Sequence, residues 1–264
     1  MLDSDLELLI KAAHKAADIA KQFANGAVKS WEKGNDAGPV TEADLAVNRM
    51  LSSFLRSERP NYGWLSEESE DDMSRLSAER CFVIDPIDGT RSFIKGEDSW
   101  AHSFAITECG EPIAAVVFLP ILDCLYCAEK GEGAMLNSKA ISVSKGASLS
   151  GSNILAARPA QDVRFWKNGI VPDFNRFHRP SLAYRLSLVA EGQYDGMITF
   201  RDSWEWDICA GALIIAEAGG FVSDILGKPL VFNQRRPMTK GVIAATPFVY
   251  LDFFKTIKSS LVAG

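Results

Sequence analysis

Three features of the sequence predict a layered α+β fold: two amphipathic helical segments at the start, a block of closely spaced strands after them, and alternating strands and helices in the second half. The 264 residues are 47% hydrophobic and 23% charged, with 28 Lys and Arg against 34 Asp and Glu. Such a balance matches globular proteins and excludes disorder, collagen-like repeats and coiled coil. A formal net charge of -6 with three His leaves no basic field, so no direct nucleic-acid binding is expected. The start lacks the basic flank of a signal peptide, and no stretch approaches the ~18 apolar residues of a membrane span. A cytoplasmic protein without a membrane partner is expected.

In chain order, Leu6, Leu9, Ile10, Ala13, Ala17 and Ala20 recur at helical spacing and predict a helix over 5–24 that stops at Asn25-Gly26. Thr41-Glu42-Ala43-Asp44 resembles a capping box, with Asp in place of Glu, ahead of a helix whose apolar face is Leu45, Met50, Leu51, Phe54 and Leu55. Asn61-Tyr62-Gly63 ends that unit. Strands follow at 81–84, 102–107, 113–119 and 125–128, with turns at 109–112 and 130–133. The second half alternates strands at 153–157 and 196–200 with helices at 182–191 and 206–218. Gly219-Gly220 stops the second of these helices, and Thr246-Pro247 supplies a cap and a proline for a last one. With no internal repeat and no separating linker, the expectation is a single domain over 1–264, with an α+β half at 1–145 and an α/β half at 146–264. Five Cys (81, 109, 124, 127 and 209) are an odd number in apolar surroundings, which suits buried, reduced thiols. Cys124 and Cys127 are three apart on a segment that reads as a strand, where they point to opposite faces, and with no second pair or His partner they fit a metal or redox role less well than buried thiols.

The chemistry is concentrated in acids. Asp85-Pro86-Ile87-Asp88-Gly89-Thr90 follows an apolar strand, and Pro86 cannot extend the ladder, so Asp85 and Asp88 emerge together at the strand end. Two such carboxylates repel unless a cation sits between them. Gly89-Thr90 then turns the backbone to present N–H groups and a hydroxyl, a receptor suited to phosphate. Mg²⁺ reconciles carboxylates with phosphate, because it takes oxygen ligands from both. Taken alone, the segment also fits a strand followed by an ordinary capped turn. Positions 67–72 hold five acids in six residues. Glu67, just after an apolar stretch, is the inward candidate, whereas Glu70, Asp71 and Asp72 fit a solvated loop. Asp207 opens an apolar helix, either as a ligand or as a cap favoured by the helix dipole. Glu217, ten residues on, fits a structural role.

Together these segments resemble the inositol monophosphatase family of metal-dependent phosphomonoesterases over nearly the whole chain. The resemblance rests on Ser66-Glu67-Glu68-Ser69, on Asp85-Pro86-Ile87-Asp88-Gly89-Thr90 with Phe93, and on Trp206-Asp207 leading to Glu217-Ala218-Gly219-Gly220. Ser66 stands where glycine is usual, and Thr41-Glu42-Ala43-Asp44 matches an upstream element. The resemblance implies a layered αβαβα sandwich of the inositol monophosphatase and fructose-1,6-bisphosphatase type. It implies one Mg²⁺ on Glu67, Asp85 and the Ile87 carbonyl, a second on Asp85, Asp88 and Asp207, and a weaker third near Glu67. Water oriented by Glu67 and Thr90 would attack phosphorus in line, with Asp44 hydrogen-bonded to Thr90. Asp88, Gly89, Thr90, Ser181, Arg185 and Asp207 would contact the substrate. Inhibition by Li⁺ and a homodimer are expected on the same grounds. A Cys or His phosphoenzyme fits less well, since no Cys-x5-Arg run exists and His14, His102 and His178 are isolated.

The substrate is less sharply marked. Phe200 stands seven residues before Asp207, where inositol enzymes of the family carry an acid. The stretch 179–193 also looks somewhat like the histidinol-phosphate and bisphosphate-nucleotidase branches. Arg185 and Arg201 either serve a second anionic group on the substrate or form surface ion pairs. The expected substrate is a small phosphorylated metabolite resembling inositol 1-phosphate. Histidinol phosphate and 3'(2'),5'-bisphosphate nucleotides are the alternatives. A non-enzymatic role is the regulatory partnership with transcription machinery of bacterial relatives named extragenic suppressors.

Overall fold

The computed structural model describes residues 3–24, 28–34 and 38–258. The chain begins with α1 (Asp5–Ala24), a short hairpin of β1 (Ser30–Glu32) and β2 (Pro39–Thr41), and α2 (Glu42–Glu58). Next come β3 (Gly63–Ser66), β4 (Arg80–Asp88), the single turn α3 (Thr90–Ile94), β5 (Ala101–Glu108), β6 (Glu111–Leu119), β7 (Cys124–Glu129), β8 (Ala134–Leu136) and β9 (Lys139–Ala140). The second half holds β10 (Asn153–Ala156), β11 (Asn175–Phe177), α4 (Leu182–Ala190), β12 (Gly196–Thr199), β13 (Ser203–Trp204), α5 (Glu205–Glu217), β14 (Phe221–Ser223), β15 (Met238–Thr239), β16 (Val242–Ala245) and α6 (Pro247–Thr256).

Five layers result. Strands β3 to β9 pair in chain order into a seven-stranded sheet, antiparallel except for the parallel pair β3 and β4. A five-stranded sheet runs β11-β10-β12-β16-β14. Alternate residues divide the first sheet between two cores. Phe82, Ile84, Phe104 and Phe118 pack under α1 and α2, whereas Val83, Ala105, Ala115 and Val117 pack under α4 and α5. The same middle helices reach Leu155, Met197 and Val242 of the second sheet, whose other face packs Ile154, Ile198 and Ile243 against Val249 and Phe253 of α6. The order is therefore α1 and α2, sheet, α4 and α5, sheet, α6: an αβαβα sandwich.

Several local expectations need correcting. The buried stripe of α2 runs through Ala43, Val47, Leu51 and Leu55, so Leu45 lies beside the core face and not on it. Strand β4 does not stop before Pro86; it continues to Asp88 through a register shift that leaves Pro86 and Ile87 without partners on β5. Cys109 is exposed in the turn between β5 and β6, and Cys124 is half-buried, while Cys81, Cys127 and Cys209 are buried. Thr246 does not cap α6 with its hydroxyl, which instead donates to the Gly146 carbonyl at 3.1 Å. The Asn25-Gly26 stop lies outside the described residues. No helix among the described residues is long and apolar enough to cross a membrane.

Candidate metal centre

The chain's acids converge because three elements end at one place. Strand β3 runs parallel to β4 with Ser66 beside Ile84, and the Glu67 amide donates to the Ile84 carbonyl at 3.2 Å, which sets Glu67 next to Asp85. Asp207 arrives on the first turn of α5. That turn is tied to β5 by the Ser103 hydroxyl, which donates to the Trp206 carbonyl at 3.0 Å. Ligand oxygens of Glu67, Asp85 and Asp207 all lie within 4.8 Å of one another.

Asp88 approaches the same end of β4 but is held from the other side. Its Oδ2 accepts from the Ser181 hydroxyl and the Ala183 amide, both at 2.7 Å, at the head of α4. Ser181 is thus the N-cap of α4 and a donor to Asp88 together. Arg185, one turn further along α4, is buried and lends Asp88 a positive neighbour. Gly89 takes φ +96° as the turn begins α3, a conformation that a side chain would strain.

The electrostatics define what the cluster lacks. Burial, then the nearby carboxylates, push Asp85 and Asp207 well above the ordinary range. Asp88 is pushed up to about 6, again first by burial and against its Ser181 and Ala183 donors. Neither Asp85 nor Asp207 has an ion pair among the described residues. Among the described residues, only the Ile87 amide, at 2.9 Å, hydrogen-bonds the Asp85 carboxylate. Carboxylate oxygens that face one another, with Asp85 buried and Glu67 and Asp207 half-buried, fit a hard divalent cation in the middle. Glu67, Asp85 and Asp207 are the donors that would hold it.

Asp44 and Thr90 stand beside this group. The Thr41 amide donates to Asp44 Oδ2 at 2.8 Å, which closes the capping box of α2, and burial pushes Asp44 up to about 6. The Thr90 hydroxyl lies 3.4 Å from Asp44 Oδ1 and 3.2 Å from the Ile87 carbonyl. A single hydroxyl proton serves only one of these acceptors at a time.

Sequence reasoning missed three contributors. Lys33, on the hairpin before α2, donates to Glu67 at 2.7 Å and to Glu68 at 2.5 Å. Glu68 is the more buried of the two, and burial pushes it up to about 7. His102, fully buried on β5, hydrogen-bonds through Nδ1 to the Pro86 carbonyl, between the two aspartates of β4. Arg75 is the third: it pairs with Asp71 at 2.7 Å, which anchors the acidic segment expected to be freely solvated. Its signal was a lone arginine four residues after Asp71, the spacing of a helical ion pair. Phe200 stacks on Phe165 with ring centroids 4.1 Å apart.

Comparisons with known proteins agree with this architecture. The inositol monophosphatase family profile matches residues 1–257. An inositol-1-monophosphatase of Rhizobium meliloti is 36% identical over 85% of this chain and 88% of its own length. The Escherichia coli protein named Nus factor SuhB is 31% identical over 97% of this chain and 96% of its own. Among solved structures, extragenic suppressor protein suhB from Bartonella henselae superposes with a TM-score of 0.81 at 28% identity, covering 94% of this chain and 96% of that one. The chain belongs to the inositol monophosphatase family, a family of phosphatases.

Proposed function

We propose that the chain is a Mg²⁺-dependent phosphomonoesterase acting on a small phosphorylated metabolite, with inositol 1-phosphate as the reference substrate. The observation that carries this reading is the approach of Glu67, Asp85 and Asp207 to within 4.8 Å with, among the described residues, no protein cation on Asp85 or Asp207. Divalent cations held there, with the Ile87 carbonyl and Asp88 as further ligands, would polarise the ester and acidify the attacking water. Glu67 and Thr90 orient that water. Asp44, buried behind Thr90, accepts from its hydroxyl and leaves the oxygen lone pairs facing the nucleophile. The amides of Gly89 and Thr90 hold phosphate oxygens at the turn into α3. Ser181 and Ala183 keep Asp88 ionised and fixed in place. Inhibition by Li⁺, a homodimer and a cytoplasmic location belong to the same reading.

Phosphate release is the test. The protein is assayed with Mg²⁺ and with EDTA on inositol 1-phosphate, histidinol phosphate and adenosine 3',5'-bisphosphate, comparing kcat/KM. Mg²⁺-dependent release from at least one is expected; none from any overturns the reading. A second reading, binding to transcription machinery, is favoured by the likeness to the protein named Nus factor SuhB. It needs no metal chemistry, so capture of transcription proteins that survives Asp88→Asn would support it separately.

A further inference from the structure

Four arginines lie close to the head of α4 and to one another; Arg185 among them neighbours Asp88, and none is ion-paired among the described residues. Arg176 lies on β11, Arg179 follows that strand, Arg185 lies on α4 and Arg201 follows β12. Arg185 is only 8% exposed, yet its guanidinium contacts neutral acceptors: the Arg179 and Pro180 carbonyls and Nε2 of His178, 3.0 Å away. Arg179 donates to the His178 carbonyl at 2.9 Å and to the Tyr194 hydroxyl at 3.2 Å. Arg176 donates to the Ala156 carbonyl at 3.1 Å. Arg201 is exposed, and its guanidinium has no hydrogen-bond partner among the described residues.

Nearby acids do not neutralise this group. Asp88 is taken up by Ser181 and Ala183, and Asp195 by the Ser144 hydroxyl and the Asn153 amide. Asp202, next to Arg201 in sequence, forms no ion pair among the described residues. The charges act on one another: His178 is held below its usual value by partial burial and by Arg185, Arg176 and Arg179, and Arg185 feels Arg201. A protein of net charge -6 thus concentrates uncompensated guanidinium groups at the edge of a cluster of carboxylates.

Building on the phosphomonoesterase reading, we propose that this arginine group binds a second phosphate of the substrate while the scissile phosphate lies at the metal centre. Guanidinium forks pair with phosphate oxygens through two parallel N–H bonds, and the arginines here have N–H groups left over from their carbonyl contacts. The alignment follows from α4 itself, since Ser181 and Ala183 at its head grip Asp88 while Arg185 on its next turn carries the charge. Phe200 complements this arrangement. Stacked on Phe165 and set edge-on to Trp166 with centroids 5.5 Å apart, it offers no acceptor to a sugar hydroxyl and anchors the backbone that presents Arg201.

Matched substrate pairs test the assignment. With Mg²⁺ present, kcat/KM is measured for adenosine 3',5'-bisphosphate against adenosine 3'-monophosphate, and for fructose 1,6-bisphosphate against fructose 1-phosphate. In at least one pair the bisphosphate should exceed the monophosphate by about tenfold or more, the scale of one charge-assisted contact. The double variant Arg179→Gln, Arg201→Gln, with its fold checked by melting temperature, should bring that ratio close to one. A wild-type ratio near one in both pairs, with phosphate still released, overturns the second-phosphate site and leaves the phosphatase reading standing. A high ratio that survives the double variant removes these arginines from the assignment. No release from any phosphate ester would instead fell the phosphatase reading itself.

Discussion

The first turn of α5 carries two acids two residues apart, Glu205 and Asp207, whose surroundings are opposite. Glu205 is 1% exposed and accepts from the Asn233 amide at 2.6 Å and the Gln234 amide at 3.0 Å. Behind these amides, buried Arg75 joins Asp71, the Asn233 side chain and the Gln234 carbonyl. Asp207 meets Glu67 and Asp85 instead. Both acids are raised first by burial, Glu205 to about 7 and Asp207 well above the ordinary carboxylate range. A perturbed carboxyl is therefore not by itself a mark of function. What separates the two is the partner: a buried acid supplied with donors is satisfied by the fold, and one facing other acids is left in need of a cation.

Substitutions on the two sides should break in opposite ways. Asp85→Asn removes one of the repelling charges, so in EDTA the melting temperature should rise, while kcat/KM with Mg²⁺ falls by about a thousandfold or more. Glu205→Ala should do the reverse to stability. It leaves two buried amides and part of the Arg75 network without their acceptor, a loss of about 3 kcal/mol. Chemical denaturation of both variants in EDTA gives the comparison. If Asp85→Asn is destabilised as much as Glu205→Ala, the acids at the centre are held by the fold and the contrast fails.

Legibility in the sequence followed the same division. Period and punctuation marked α1, α2 and strands β4 to β7, because each buries an alternating or helical set of apolar residues over many positions. The short strands β13 to β16 are two to four residues long, too short for a period to show, and β3 was visible only as an apolar lead into Glu67. The acids could be singled out because aspartates around Pro86 and Gly89 are costly unless used. Lys33 and His102 gave no such signal. Each acts through a contact between distant segments, Lys33 with Glu67 34 residues away and His102 with the Pro86 carbonyl 16 residues away. Asp71 was assigned to solvent because its partner Arg75 is buried by loops from far along the chain.

The comparison sharpens with pH. Asp44 and Asp88 sit at about 6 in the folded protein, with Asp85 and Asp207 well above the ordinary range, all first through burial. An acid whose folded value exceeds its unfolded one binds its proton more tightly when folded. Its contribution to stability is present at low pH and is lost as pH rises through the folded value. In EDTA, the melting temperature should therefore fall between about pH 5 and pH 8. His102, lowered to about 4 by burial, and His178, lowered by partial burial and its arginine neighbours, have the opposite slope as pH drops below their unfolded value, but Glu68 and Glu205, raised to about 7, add to the four acids. Mg²⁺ needs the acids ionised, so its stabilisation should be larger at the alkaline end. Calorimetry with and without Mg²⁺ across this range decides, and a metal-induced shift independent of pH would remove the acids from the binding site.

The smallest effect belongs to the third acid of α5. Glu217, at the far end of the helix from Asp207, accepts from the Gly131 amide at 2.8 Å and the Gly133 amide at 2.9 Å. It closes the turn between β7 and β8 against the end of α5, and among the described residues it joins no group of three acids like Glu67, Asp85 and Asp207. The turn is partly exposed, so water can replace the lost acceptor in Glu217→Ala, and the cost should be only about 1 kcal/mol. Turnover and Mg²⁺ affinity should match the parent, since the turn lies on the opposite end of α5. A loss of Mg²⁺ affinity in this variant would mean that α5 transmits strain from its end to its first turn, and the rule that partners alone distinguish structural from functional acids would need the helix itself as a further term.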